Sequence, residues 1–264
     1  MKLSINRWRR AFLRRLLGDT VTASIYGRQL ASRLHDGVAP GLRGNTTLDA
    51  AKGLVSSGDV MVDVGALGGD WSYELGRRVG DQGLVIAIEA DAFFAAVLKG
   101  AFNRLHMPQV AVVQTALGTK TGQAWLATKS EDGQELLGFA HIETTPSPNT
   151  TSVPMTTLDA LTKVHPRLLQ ACLVKIDTEG YEPFILQGAV EFLKQVRPIV
   201  ICEVNSEWLN RFGWTPSELY ELLSAQGYKP VAANGYDIDI TELAKRFKND
   251  AVFSDDITFL HQSS

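Results

Sequence analysis

An open, doubly wound α/β sheet is the fold this sequence predicts. Three observations carry the prediction. Short apolar runs alternate with stretches of helical periodicity along most of the chain. Two of those runs end in carboxylates followed by glycine, as strands do where a parallel sheet binds ligands at its carboxyl edge. The 264 residues, 45% hydrophobic and 21% charged, suffice for one domain of catalytic size with an extension.

The strand candidates, in order, are residues 60–64, 84–88, 110–114, 173–176 and 198–204, each a short run rich in β-branched residues. Helical stretches follow the first, second, fourth and fifth, at 71–79, 92–105, 182–196 and 216–226, with Thr215 placed to cap the last. Residues 227–231 and 257–260 read as a closing strand pair with 237–249 between them. From 119 to 157 the rhythm breaks. Glycines, prolines and a Ser/Thr-rich run make this segment too long for an ordinary connection, with one hairpin at 122–128, and it reads as an insertion of the lid or substrate-loop kind.

At the amino end Lys2, Arg7, Arg9, Arg10, Arg14 and Arg15 all precede the first acid, Asp19. Ile5, Trp8, Phe12, Leu16 and Leu17 recur at helical spacing, which gives a basic amphipathic helix. Such a helix either lays its apolar stripe on the main domain or docks on an anionic membrane or large anionic substrate. Residues 20–52 read as a connector, with Thr47 placed to cap a short helix. The expected organisation is an N-terminal helical extension over 1–52 and a catalytic domain over 53–264 that carries the 119–157 insertion.

Composition narrows the function classes. A net charge of -3 excludes a general nucleic-acid binder. No apolar run reaches the roughly 18 residues of a membrane span, and the basic start lacks the apolar core of a secretory signal, so a cytoplasmic location is expected. Cys172 and Cys202 fall in neighbouring strand candidates and read as free core thiols. The Asn45 and Asn149 sequons carry no weight without a secretion signal.

The first strand ends in Asp63, followed by Gly65 and a loop with Gly68 and Gly69. A G-x-G-x-x-G dinucleotide fingerprint is absent, which argues against a nicotinamide oxidoreductase. An acid followed by a glycine loop is closer to the arrangement that holds the amino-acid portion of S-adenosylmethionine, glycine allowing close backbone approach. The second strand ends in Glu89-Ala90-Asp91, where Glu89 can accept ribose hydroxyls and Ala90 borders the nucleotide. Gln114 and Thr115 fall where a third strand would border adenine.

The longest charged constellation is Val174-Lys175-Ile176-Asp177-Thr178-Glu179-Gly180, a buried strand running into carboxylates. Together with the loop at 63–69, Ile88-Glu89, residues 156–161, residues 181–189 and the run from Arg197 to Glu203, it resembles the FkbM family of S-adenosylmethionine-dependent methyltransferases, in order and spacing over about residues 58–204. One departure is Leu67, where that family usually shows Asn. The resemblance implies a Rossmann-like, seven-stranded class I methyltransferase sheet with helices on both faces, used on hydroxyls of sugars, glycans or small natural products. Asp177 is the expected catalytic carboxylate, with Glu179 orienting acceptor or cofactor and Glu203 nearby. A divalent cation on Asp177, Glu203 and Asn205 is a less favoured variant, since the resemblance requires no metal. A methyltransferase-like module that binds glycan or lipid without catalysis is the non-enzymatic alternative. His141 is expected in a surface loop, His165 in a turn, and Lys175 solvated or ion-paired.

Overall fold

The computed structural model describes residues 7–39, 42, 45–136, 139–231 and 254–262. In chain order the elements are α1 (Arg7–His35), α2 (Thr46–Leu54), β1 (Val60–Val64), α3 (Asp70–Val79), β2 (Leu84–Glu89), α4 (Ala92–Arg104), β3 (Val110–Gln114), β4 (Ala116–Leu117), β5 (Gly122–Ala127), β6 (His141–Glu143), β7 (Thr150–Thr156), α5 (Leu158–Val164), a 3-10 turn (Pro166–Gln170), β8 (Ala171–Ile176), α6 (Glu182–Gln187), α7 (Val190–Val196), β9 (Ile199–Asn205), α8 (Ser206–Asn210), α9 (Pro216–Ser224), β10 (Tyr228–Val231) and β11 (Ser254–His261). The class is α/β, with a large sheet of seven strands and a smaller sheet of four. All five strand candidates of the alternating region are strands, with boundaries within two residues of those expected.

Two compact units divide the chain. The first comprises residues 1–59, 65–116 and 123–154. In it β2 and β3 pair in parallel, Glu89 standing opposite Gln114, and α3 and α4 pack on these strands. Helix α1 packs on α4 through buried Thr22, Ala23, Tyr26, Leu30, Ala31 and Leu34. The two backbones come close at Gly27, where an added Cβ would lie 3.0 Å from the Val97 carbonyl oxygen. Two helical stretches, meeting at Gly18 whose φ of 75° and ψ of 168° are not helical, thus stand where a short helix and a connector were expected. Leu16 and Leu17 stay 66% and 41% exposed. Ile5, of the expected stripe, lies outside the described residues.

The second unit comprises residues 60–64, 117–122 and 155–264. Five strands of the large sheet belong to it, in the order β10-β11-β9-β8-β1. Strand β8 runs parallel to β1, with Asp63 opposite Lys175, and parallel to β9. Strand β11 runs antiparallel to both β9 and β10. The central strands are buried on both faces, which explains their unbroken apolar runs. Residues 237–249, expected between the closing strands, lie outside the described residues.

Several local expectations need correction. The helix expected over 182–196 is two helices, parted at Gly188, where an added Cβ would sit 2.0 Å from the Gly118 carbonyl oxygen. Only glycine permits that approach. Asn45, not Thr47, caps α2, its side chain accepting from the Leu48 amide at 2.9 Å. In the insertion β5 makes no local hairpin but pairs with β6, Ala127 opposite His141. An isolated hairpin is marginal in water, and the four-stranded sheet of β4, β7, β5 and β6 supplies the missing partners. His141 is therefore buried, 6% exposed, its Nε2 2.9 Å from Glu143. Both cysteines are free thiols; Cys202 is buried and Cys172 half-buried.

Candidate functional site

In the first unit the glycine loop is built around one carboxylate. Gly65 and Ala66 both donate their amides to the Ile88 carbonyl, fastening the loop to the end of β2. Glu89, at that strand's end and 8% exposed, accepts from the Leu67 amide through Oε2 (2.9 Å) and from the Asp91 amide through Oε1 (2.8 Å). Asp91 in turn caps α4, accepting from the Phe93 and Phe94 amides. Gly69 takes the left-handed conformation (φ 70°), and a Cβ there would lie 2.7 Å from Leu98 Cδ2. Gly68 lines a small cleft with residues of α1 and α4. Leu67 also has positive φ (32°), unusual for a branched side chain, and lines the same cleft.

Of the other cofactor candidates in this unit, the Ala90 carbonyl accepts from the Gln114 side-chain amide at 3.1 Å. Thr115 is 7% exposed, and its hydroxyl donates to the carbonyls of Ala116 and Pro154, so the hydroxyl serves the local backbone.

In the second unit the carboxylates gather where β1, β8 and β9 end. Asp63 is 1% exposed and faces Lys175 across the β1–β8 register. Lys175 is buried, and its Nζ donates to Asp177 Oδ2 at 2.8 Å. Burial alone would lower the lysine pKa, but the charges of Asp177 and Asp63 outweigh it and raise it. The Asp177 amide donates to the Val64 carbonyl, pinning the turn to β1. Glu179 sits in that turn with φ 57°, a left-handed conformation that costs a residue with a side chain about 1 kcal/mol or more. Next to it Gly180 (φ 95°) packs on Trp208, where an added Cβ would lie 2.5 Å from the carbonyl oxygen.

Two acids here are held protonated to unusually high pH. Burial, followed by the charges of Asp177, Glu182 and Glu179, raises Glu203 to about 9. Its Oε2 is buried with no hydrogen-bond partner among the described residues. Burial likewise raises Glu182 to about 7, against the pull of the groups it accepts from. Those are the Thr178 amide and hydroxyl and the Gly180 amide, so Glu182 rather than Glu179 closes the turn.

Within this unit the structure thus brings Asp63, Asp177, Glu179 and Glu203 into one electrostatic neighbourhood. Sequence reading missed Glu182; Lys175, expected solvated or ion-paired, is ion-paired with Asp177. Asn205 caps α8, its oxygen accepting from the Glu207 and Trp208 amides. No cluster among the described residues has the donors to hold a metal ion.

Comparison with known proteins adds a sequence match. Residues 63–230 match the family model described as the methyltransferase FkbM domain. No curated protein matches the sequence. Among solved structures, methyltransferase FkbM from Methylobacillus flagellatus KT is 16% identical, with a TM-score of 0.47, covering 95% of this chain and 60% of that one. This chain therefore spans less than two thirds of that protein's length. An O-methyltransferase from Bacillus cereus in complex with SAH is 15% identical, with a TM-score of 0.47 and 90% of each chain covered. A SAM-dependent methyltransferase from Aquifex aeolicus is 15% identical, with a TM-score of 0.39, covering 76% of this chain and 90% of that one.

Proposed function

Since the chain belongs to the FkbM family of S-adenosylmethionine-dependent methyltransferases, we propose that it methylates a hydroxyl on a sugar, glycan or glycoconjugate. The observation that carries the cofactor half is Glu89. It ends β2 beside a loop whose glycines admit a ligand to the backbone, and each of its oxygens accepts from a loop amide. A carboxylate at that place in a parallel sheet suits ribose hydroxyls. The residues fit the cofactor on that test. Gly65, Gly68 and Gly69 would admit the methionyl portion, and Ala90 and Thr115 would border the nucleotide through their backbone.

The bound sulfonium supplies an electrophilic methyl group. The chain's own residues must then align the acceptor and take its proton, because a sugar hydroxyl is a poor nucleophile at neutral pH. Asp177 is the base in this reading: its side chain is 39% exposed, open enough to meet an acceptor, and Lys175 Nζ holds it in place at 2.8 Å. Asp177 would accept the proton of the acceptor hydroxyl, and the methyl group would come from the bound sulfonium. Glu179 orients the acceptor. Glu203, which burial keeps protonated, takes up no proton in this reading.

Calorimetry with S-adenosylhomocysteine tests the cofactor half, and NADH serves as the negative control. Tritiated methyl donor, offered with free sugars, lipid-linked glycans and polyketide-like alcohols, tests the acceptor half. Label in the alcohols or in amines alone would replace the sugar by a small natural product or a nitrogen acceptor.

We also propose peripheral membrane contact through the basic amino-terminal helical stretch, because Leu16 and Leu17 before Gly18 and Val21 after it stay 66%, 41% and 48% exposed. No helix among the described residues is long and apolar enough to cross a membrane. Co-sedimentation with anionic but not neutral vesicles is the expected result, and loss of it in Leu16→Asp/Leu17→Asp would place the contact.

A further inference from the structure

The turn that follows β8 carries two costs at one place. Glu179 holds a left-handed φ of 57°, which glycine would adopt without strain. Three residues on, Glu182 is a carboxylate only 1% exposed, and burying such a group is expensive unless it is well satisfied. Its hydrogen-bond partners among the described residues all lie on Oε1: the Thr178 amide at 2.7 Å, the Thr178 hydroxyl at 2.9 Å and the Gly180 amide at 3.3 Å. No cation is among them.

The two amides flank Glu179. One oxygen therefore grips the peptide groups on either side of the strained residue, and a charged acceptor strengthens each of those bonds. On its outer side the turn meets α8, where a Cβ added at Gly180 would lie 2.5 Å from the Trp208 carbonyl oxygen. The backbone around Glu179 is thus fixed from both sides, within the second compact unit. A chain that needed only a turn here would take glycine at 179. Strain and a buried carboxylate spent on one turn point instead to the side chain that the turn carries. That side chain is half-buried, and its charge is among those that bear on Glu203.

We infer that Glu182 is a positioning residue for methyl transfer, gripping the amides on either side of Glu179 so that the Glu179 side chain meets the acceptor at a fixed place. The inference rests on the reading above, in which Glu179 orients the acceptor. It goes further by giving that orientation a second residue, one that touches neither acceptor nor cofactor.

The test uses the full chain and tritiated S-adenosylmethionine, with whichever of the free sugars, lipid-linked glycans or alcohols wild type labels. Glu182→Met, which fills the space without accepting, should lower kcat/KM for that acceptor at least tenfold and leave S-adenosylhomocysteine affinity within twofold of wild type. On a Glu179→Gly background, itself slow, the same substitution should cost less than twofold more, because no side chain is left to place. Amide exchange at Thr178 and Gly180 should quicken in Glu182→Met. Glu182→Gln keeps an acceptor oxygen without the charge and should lose only about threefold, a loss that again disappears on the Glu179→Gly background. It serves in place of Glu182→Met should that variant not fold, since burial already raises Glu182 to about 7 and a neutral side chain of its shape suits the place.

Wild-type kcat/KM in Glu182→Met overturns the inference. A tenfold loss that recurs unchanged on the Glu179→Gly background overturns it too, since Glu182 would then be supporting the fold alone. The acceptor reading itself falls, and this inference with it, if Glu179→Gly transfers label at the wild-type rate or if wild type labels none of the acceptors. A slow Glu179→Gly beside a normal Glu182→Met sinks only the inference, which separates the two failures.

Discussion

Lys175 donates its ammonium to Asp177 at 2.8 Å while only 3% of the lysine is exposed. Its strand register also sets it opposite Asp63, so one buried cation serves two strand-end carboxylates. Three charges in such a place are tolerable only as a set, because a single buried ion carries a desolvation penalty of several kcal/mol. The lysine thus lets β1 and β8 end in acids without mutual repulsion.

Removing that cation should therefore cost more than removing one acid. Lys175→Met is expected to destabilise the fold by about 2–4 kcal/mol, toward the lower part of the range for broken buried pairs because Asp177 is partly solvated. Adding Asp177→Asn to Lys175→Met should recover part of the loss. Urea denaturation of the two singles and the double gives the coupling; strictly additive losses would show that the pair does not act as a unit.

Asp177→Asn alone keeps the size and polarity of the side chain but cannot take a proton. Turnover is expected to fall by a factor on the order of 10² to 10⁴, the range for loss of a general base, with S-adenosylhomocysteine affinity within about threefold of wild type. Single-turnover transfer with radiolabelled donor checks the first, calorimetry the second. Parallel loss of both would assign Asp177 to the fold of the turn.

Glu203 makes a prediction about stability and pH. Its folded pKa, raised to about 9 chiefly by burial, lies above the roughly 4.3 of an unfolded glutamate. Below pH 4 both states are protonated and its contribution is fully present. As pH rises the unfolded state ionises first, so stability is lost progressively until the folded carboxyl ionises near pH 9. Glu203→Gln cannot ionise and escapes this loss. Its melting temperature should match wild type at pH 4 and exceed it at pH 8, and a difference independent of pH would refute the burial argument.

The sequence made the two acid-ending strands legible because a buried parallel strand is a continuous apolar run, and a charge at its end stands out. Glu89 and Asp177 were visible for that reason. The pairing of Lys175 with Asp177 followed from the same run, but its second neighbour, Asp63 across the sheet, depends on tertiary placement, and the Thr178 and Gly180 amides that Glu182 accepts from depend on the local turn geometry. The break at Gly188 was hidden for the same reason: what forbids a side chain there is the carbonyl of Gly118, seventy residues earlier in the chain. His141 shows the converse, a polar residue in a Gly- and Pro-rich segment that β-pairing with Ala127 carries inside. Helix α1 was legible as far as its basic start. The second helical stretch, beyond the non-helical Gly18, packs on α4, which local propensity does not encode.

Glu89 has two duties that one substitution would confound. It holds the Leu67 and Asp91 amides, and in the proposed reading it takes the ribose hydroxyls. Glu89→Ala leaves two buried donors without their acceptor, which should cost about 1–3 kcal/mol of stability and speed hydrogen exchange at Leu67 whatever the ligand. It should also weaken S-adenosylhomocysteine at least tenfold, on the scale of lost charge-assisted hydrogen bonds. The two duties separate when adenosine is compared with 2′,3′-dideoxyadenosine. Wild type should prefer adenosine by at least tenfold, because the hydroxyls are what the carboxylate would accept from. In Glu89→Ala that preference should vanish, both nucleosides binding alike. A variant that keeps discriminating between them would show that the ribose is read elsewhere and that Glu89 serves the loop alone.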